Sequence, residues 1–146
     1  MGAAARRILV IATLAGTVLV PRGVAAVGSE PAGFALFAYL TGAPPPTMVA
    51  YSPSELDPRF DANHSKLATS SIRADLKALR PVFDGLVLYG YHDKSTPRIV
   101  AVAKELKFRA LLLGIWNPKS ATEIEGVVRL VTQFEKNLAM GVAIGN

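Results

Sequence analysis

The chain has 146 residues, 51% of them hydrophobic and none of them cysteine, so it has the length of one compact domain and excludes disulfides, thiolate metal sites and cysteine nucleophiles. Its formal net charge is +5, but Arg6, Arg7 and Arg22 sit in a separable N-terminal stretch, and without those three the 16 basic residues fall to 13 against 11 acidic ones. That small surplus, with no basic stripe interleaved with aromatics, argues against a nucleic-acid partner.

Residues 1–26 read as an export signal. Arg6 and Arg7 form the basic end, Ile8 to Val20 is an uncharged apolar core, Pro21 breaks it, and Val24-Ala25-Ala26 offers small residues for cleavage. The apolar core is shorter than the ~20 residues that span a bilayer. A cleaved signal is therefore expected, giving a secreted or periplasmic protein, with anchoring by an uncleaved signal as the alternative. The paired arginines match twin-arginine export only loosely, so ordinary secretion is the expectation.

Residues 27–47 are rich in Gly, Pro and Ala and carry Pro44-Pro45-Pro46, which favours an extended linker. The folded part is expected from Met48. The aromatic patch Phe34 to Tyr39 could pack back on that part or lie at a membrane surface.

Four apolar runs follow: MVAY at 48–51, GLVLYGY at 85–91, ALLLGIW at 110–116 and AMGVAI at 139–144. None alternates apolar with polar, as expected for parallel strands covered on both faces. Between them lie helical patterns with readable ends. Ile72, Leu76 and Leu79 share one face, Ser70 or Ser71 is available as N-cap, and Pro81 stops the run. Thr96 is the expected cap of the next helix, with Pro97 at its first position and Ile99, Ala103 and Leu106 on its inner face. The last helix opens on Ser120-x-x-Glu123, a capping-box spacing. Its expected apolar face is Ile124, Val127, Val128, Val131, Phe134 and Leu138, with Gly126 a mild cost within it.

The order β-α-β-α-β-α-β predicts an α/β fold with at least four parallel strands. An open nucleotide-binding sheet wants a glycine-rich turn after its first strand. Here SPSELDPRFDANH follows instead, without one glycine, which argues against a dinucleotide or P-loop site. A (β/α)8 barrel typically needs about 250 residues, so four strands would be half of one.

The runs MVAYSPSELDP, IRADLKALRPVFDGLVLYGYHD, RALLLGIW and VAIGN together resemble the first four βα units of bacterial family 17 glycoside hydrolases. These are (β/α)8 enzymes that include β-1,3-glucanases. The resemblance covers about Met48 to Asn146 and rests on the whole run of elements. It implies an incomplete TIM barrel, 48–146, acting on β-glucan or another polysaccharide by hydrolysis or transglycosylation in the parent enzyme. In that family the fourth strand ends in Gly-Asn-Glu, where the Glu is the acid/base, and a second Glu ending strand seven is the nucleophile. Gly145 and Asn146 match that pattern, so this stretch is expected to be cut just before its first catalytic residue and inactive alone.

By the same resemblance Asn146 would hydrogen-bond the sugar beside the scissile bond, and Tyr89 matches a tyrosine lining that subsite. Val87 stands where the family usually has arginine, a departure from its pattern two residues before Tyr89. Trp116 and Asn117 end the third strand, and Tyr51 the first, where a barrel presents substrate-contacting residues. Each has a plainer reading: Trp116 serves a core as readily as a sugar, and at most one of Tyr89 and Tyr91 points toward a ligand.

No cofactor and no metal is expected, since no His/Asp/Glu cluster has ligand spacing. His64 and His92 read as satisfied loop or surface residues, with His92-Asp93 the best acid/base pair in the chain. Asn63-His64-Ser65 matches a glycosylation acceptor that reads as accidental. The alternatives to a hydrolase fragment are a secreted, non-catalytic carbohydrate-binding module and a non-functional fragment. Open strand edges predict self-association and poor monomeric solubility for 47–146 alone.

Overall fold

The computed structural model describes residues 35–42, 46–57 and 59–145. The expected export signal, part of the expected linker and the candidate Asn146 lie outside them. Four strands are present: β1 Met48–Ala50, β2 Gly85–Leu88, β3 Ala110–Ile115 and β4 Ala139–Ile144. Five helices accompany them among the described residues: α1 Ala35–Leu40, α2 Ala62–Lys66, α3 Thr69–Leu79, α4 Thr96–Glu105 and α5 Ala121–Phe134.

All four strands are parallel and lie in chain order, β1-β2-β3-β4. The fold is α/β, as the continuous apolar runs predict. The parallel register pairs Leu86 with Leu111 and Leu111 in turn with Met140, and likewise Leu88 with Leu113 and Leu113 with Val142. Alternation along each strand then sends one set of side chains toward the helices. Leu86, Leu88, Leu111, Leu113 and Ile115 meet Ile72 and Leu76 of α3, Ile99, Val100 and Ala103 of α4, and Val127, Leu130 and Phe134 of α5 in one core. Each buried Leu, Ile, Val or Phe side chain contributes about 1.5–3 kcal/mol relative to exposure.

The other face of the sheet is less covered: Val87, Leu112 and Gly141 are only partly buried. Over its β4 side lies α1, within the stretch expected as linker. A methyl group at Gly141 would come 2.0 Å from Leu36 Cδ2, so glycine is what lets this helix approach the strand. Farther along α1, the Tyr39 ring sits 5.0 Å beneath the Arg109 guanidinium.

Several helix details differ from the sequence reading. Ala68, not a serine, is the N-cap of α3, because only two residues separate the helices, and the first of them, buried Leu67, is the C-cap of α2. In α4 the N-cap is Ser95 and Thr96 is already helical, with no side-chain cap. The Thr96 hydroxyl instead accepts the His92 N–H at 2.8 Å. At α5 half of the capping box forms: Ser120 Oγ accepts from the Glu123 N–H at 3.3 Å. The Glu123 carboxylate does not return to Ser120 but accepts the N–H groups of Trp116 and Asn117 at 2.7 and 3.3 Å.

The inner face of α5 is also rotated from expectation. Leu130 is buried while Ile124 and Val128 are exposed. Gly126 has a clear reason: a methyl there would lie 2.1 Å from Tyr91 Cζ, so the tyrosine ring crosses the helix at its one residue without a side chain.

Candidate functional site

The candidate residues belong to the carboxyl ends of the strands, where parallel sheets present loops able to bind ligands. Tyr51, just beyond β1, continues the ladder by donating its N–H to Val87 O at 3.0 Å. Its side chain is buried, and the hydroxyl donates to Asp75 Oδ2 at 3.1 Å. Asp75 also accepts the Ser54 N–H at 2.9 Å and the Ser54 hydroxyl at 2.7 Å. Burial, and then the adjacent Asp75 carboxylate, raise the Tyr51 phenol well above its ordinary value. Tyr51 is thus placed as a peg joining the β1 loop to α3.

Tyr89 and Trp116 are placed differently. They follow the neighbouring strands β2 and β3, and their side chains are 51% and 56% exposed. The two strand ends approach closely because Gly114 has no side chain: a methyl there would lie 2.3 Å from Tyr89 O. One residue on, a methyl at Gly90 would be 3.7 Å from Trp116 Cβ. Two large exposed rings therefore share the carboxyl end of the two central strands, with partly buried Tyr91 turned onto α5. Asn117 follows Trp116 and is exposed, its Oδ1 accepting the Lys119 N–H at 3.0 Å. The backbone that carries Trp116 and Asn117 is held by Glu123 from within α5.

Gly145, just beyond β4, donates its N–H to Ile115 O at 3.1 Å and has a φ of +82°, which favours glycine. Such an edge can stack an apolar ring face against an aromatic and offer an amide to a hydroxyl. Among the described residues there is no group of three or more His, Asp or Glu side chains placed to hold a metal ion.

A second cluster at this end was not legible in the sequence. His64 of α2 and His92 after β2 stack with ring centroids 3.7 Å apart. The close carboxylate partner of His92 is Asp61, at 2.7 Å, and not its neighbour Asp93, which lies at 3.5 Å and pairs with Lys94 at 2.9 Å. His64 faces Ser95 at 2.8 Å. Ser95 is only 3% exposed, so this contact is closed to a substrate and does not form an accessible nucleophile–base pair. These partners are 31 residues apart in the chain, and no local motif signals them. Asn63, the acceptor of the glycosylation match, is on α2 and donates its side-chain amide to Asp57 O at 3.0 Å.

Two open cavities of about 550 and 500 Å³ lie at the opposite, amino end of the sheet, lined by Lys104, Lys107 and Arg109 and by Lys77, Arg80 and Lys107 among others. None of the candidate residues from the sequence lines them. Among the described residues no helix is long and apolar enough to cross a membrane. Comparison with family models, with curated proteins and with solved structures gave no match.

Proposed function

We propose that these units are the first four of a glycoside hydrolase-like (β/α)8 barrel acting on β-glucan, exported by its N-terminal segment, and that Tyr89 and Trp116 form a sugar-contacting surface. The observation that carries this reading is the exposure of both rings at adjacent strand ends, on the edge where such folds bind substrate. Sheet order supports it as well. Strands that follow one another in chain order suit a barrel, whereas a doubly wound sheet reverses direction at a switch point. The resemblance of the four runs to family 17 glycoside hydrolases supplies the substrate class.

Retaining hydrolysis needs two carboxylates about 5–5.5 Å apart, one to protonate the leaving oxygen and one to attack the anomeric carbon. In the resembled family one follows the Gly-Asn pair and the other ends a seventh strand. The role proposed for residues 48–146 is therefore to bind and orient the glucan, with Asn117 beside the aromatic pair and Asn146 next to the scissile bond.

Trp116 is the single tryptophan of the chain, so its fluorescence reports this surface directly. Titration with a β-1,3-linked gluco-oligosaccharide is expected to change the emission saturably. Tyr89→Ala is expected to weaken binding roughly tenfold, about 1.4 kcal/mol. Emission that stays flat into the millimolar range, or binding indifferent to Tyr89→Ala, would sink the proposal.

A further inference from the structure

Independently of the aromatic edge, the histidine cluster joins two loops at the carboxyl end of the sheet. His64 belongs to α2, in the β1–α3 connection, and His92 to the β2–α4 connection. Their rings are 3.7 Å apart and within 7° of parallel. The backbone N–H of Lys94 donates to His92 Nδ1 at 3.2 Å. That contact requires Nδ1 without a proton, so a neutral His92 carries its proton on Nε2 and donates it to Asp61 Oδ1 at 2.7 Å. On the other ring, His64 Nδ1 and the buried Ser95 hydroxyl are 2.8 Å apart. Arg98 of α4 completes the joint by donating to the carbonyls of His64, at 2.6 Å, and Leu67.

We infer that the His64–His92 stack is a proton-sensitive clasp, holding α2 against the loop after β2 while at least one ring is neutral and parting when both are charged. Two imidazolium rings stacked face to face repel, and protonation of His92 at Nδ1 would set two donors, its own and the Lys94 N–H, against each other. The charged groups around the pair sort by ring. Asp61 from the α2 side and Asp93 from the β2–α4 loop face His92, and Lys94 neutralises Asp93. His64 faces His92 and the Arg98 guanidinium, with Asp61 and Asp93 acting in the opposite sense.

Burial, and then His92, hold the His64 imidazole below the ordinary histidine range. The sign follows. The folded chain prefers neutral His64, whereas the unfolded chain takes up the proton near pH 6.5. The stabilisation is complete above that value and is lost as the pH falls below it.

The test is amide hydrogen exchange on the full chain at pH 7.5 and pH 5, with rates corrected for the intrinsic effect of pH. The reporters are Asn63, His64 and Leu67, whose N–H groups bond to Phe60, Asp61 and Asn63 carbonyls. Their protection is expected to fall on the order of tenfold at the lower pH, with a midpoint that tracks the His64 ring resonance, while amides of β2 and β3 stay protected. His64→Phe keeps an aromatic stack without a titrating group and should show equal protection at both pH values. His92→Phe makes the same test if the first variant does not fold. Unchanged protection in the parent chain, or the same acid-induced loss in the phenylalanine variant, would overturn the clasp.

Discussion

At the scale of single residues, several side chains make sense only through partners distant in sequence. Gly126 interrupts an otherwise good helix former, and helix propensity alone favours replacing it with alanine by about 1 kcal/mol. The ring of Tyr91 reverses that expectation, since the new methyl would sit 2.1 Å from Cζ. Gly126→Ala is therefore expected to destabilise the chain by about 1–3 kcal/mol in urea unfolding, as overpacking does. In the Tyr91→Ala background the same change should be neutral or stabilising, a coupling that a double-mutant cycle measures. Equal effects in both backgrounds would remove the explanation. Asp75 is a parallel case. It lies beyond the first turn of α3, the turn where the helix dipole would favour a carboxylate, and its oxygens are instead taken up by Tyr51 and Ser54 of the β1 loop.

Among the elements, the end of α4 shows how tertiary need overrides a local signal. Lys107 has φ +61°, a left-handed conformation rare for a residue with a Cβ. The Phe108 N–H bonds to Ala103 O and the Lys107 N–H to Lys104 O, both at 3.0 Å, which is the Schellman pattern that glycine usually closes. Lys107→Gly should relieve about 1 kcal/mol of strain and raise the unfolding midpoint; a lower midpoint would contradict the assignment. Strands and crossovers were legible because a continuous apolar run of four to seven residues has few other homes in an α/β chain. Helix starts were less so, since the hydroxyls of Ser95, the N-cap residue, and Thr96 bond to His64 and His92 rather than to the first turn of α4. The short polar helix α2 has no apolar face to announce it. Tyr89 and Trp116 could be placed at strand ends from the runs that precede them. The histidine pair could not, because only the parallel pairing of β1 with β2 brings their two loops together.

At the scale of the whole molecule, the sheet formed by the described residues is bounded by β1 and β4. Among the described residues β4 pairs only with β3, carries neither charge nor proline, and leaves Val142 and Ile144 41% and 69% exposed. Such an edge invites pairing with another chain. Sedimentation velocity over roughly a hundredfold range of concentration should show mass action toward larger species, and Val142→Lys should suppress it; a concentration-independent monomer would refute the expectation. The opposite ends of the sheet are also chemically distinct, an aromatic carboxyl edge against an amino end whose two cavities are lined by lysines and arginines. The glucan reading depends on the first of these. Its most direct test is a two-dimensional NMR titration of the full chain with a β-1,3-linked gluco-oligosaccharide. The account predicts saturable shifts concentrated at Tyr89 to Tyr91 and Trp116 to Asn117. Shifts gathered instead around Lys107 and Arg109, or none at all, would contradict it.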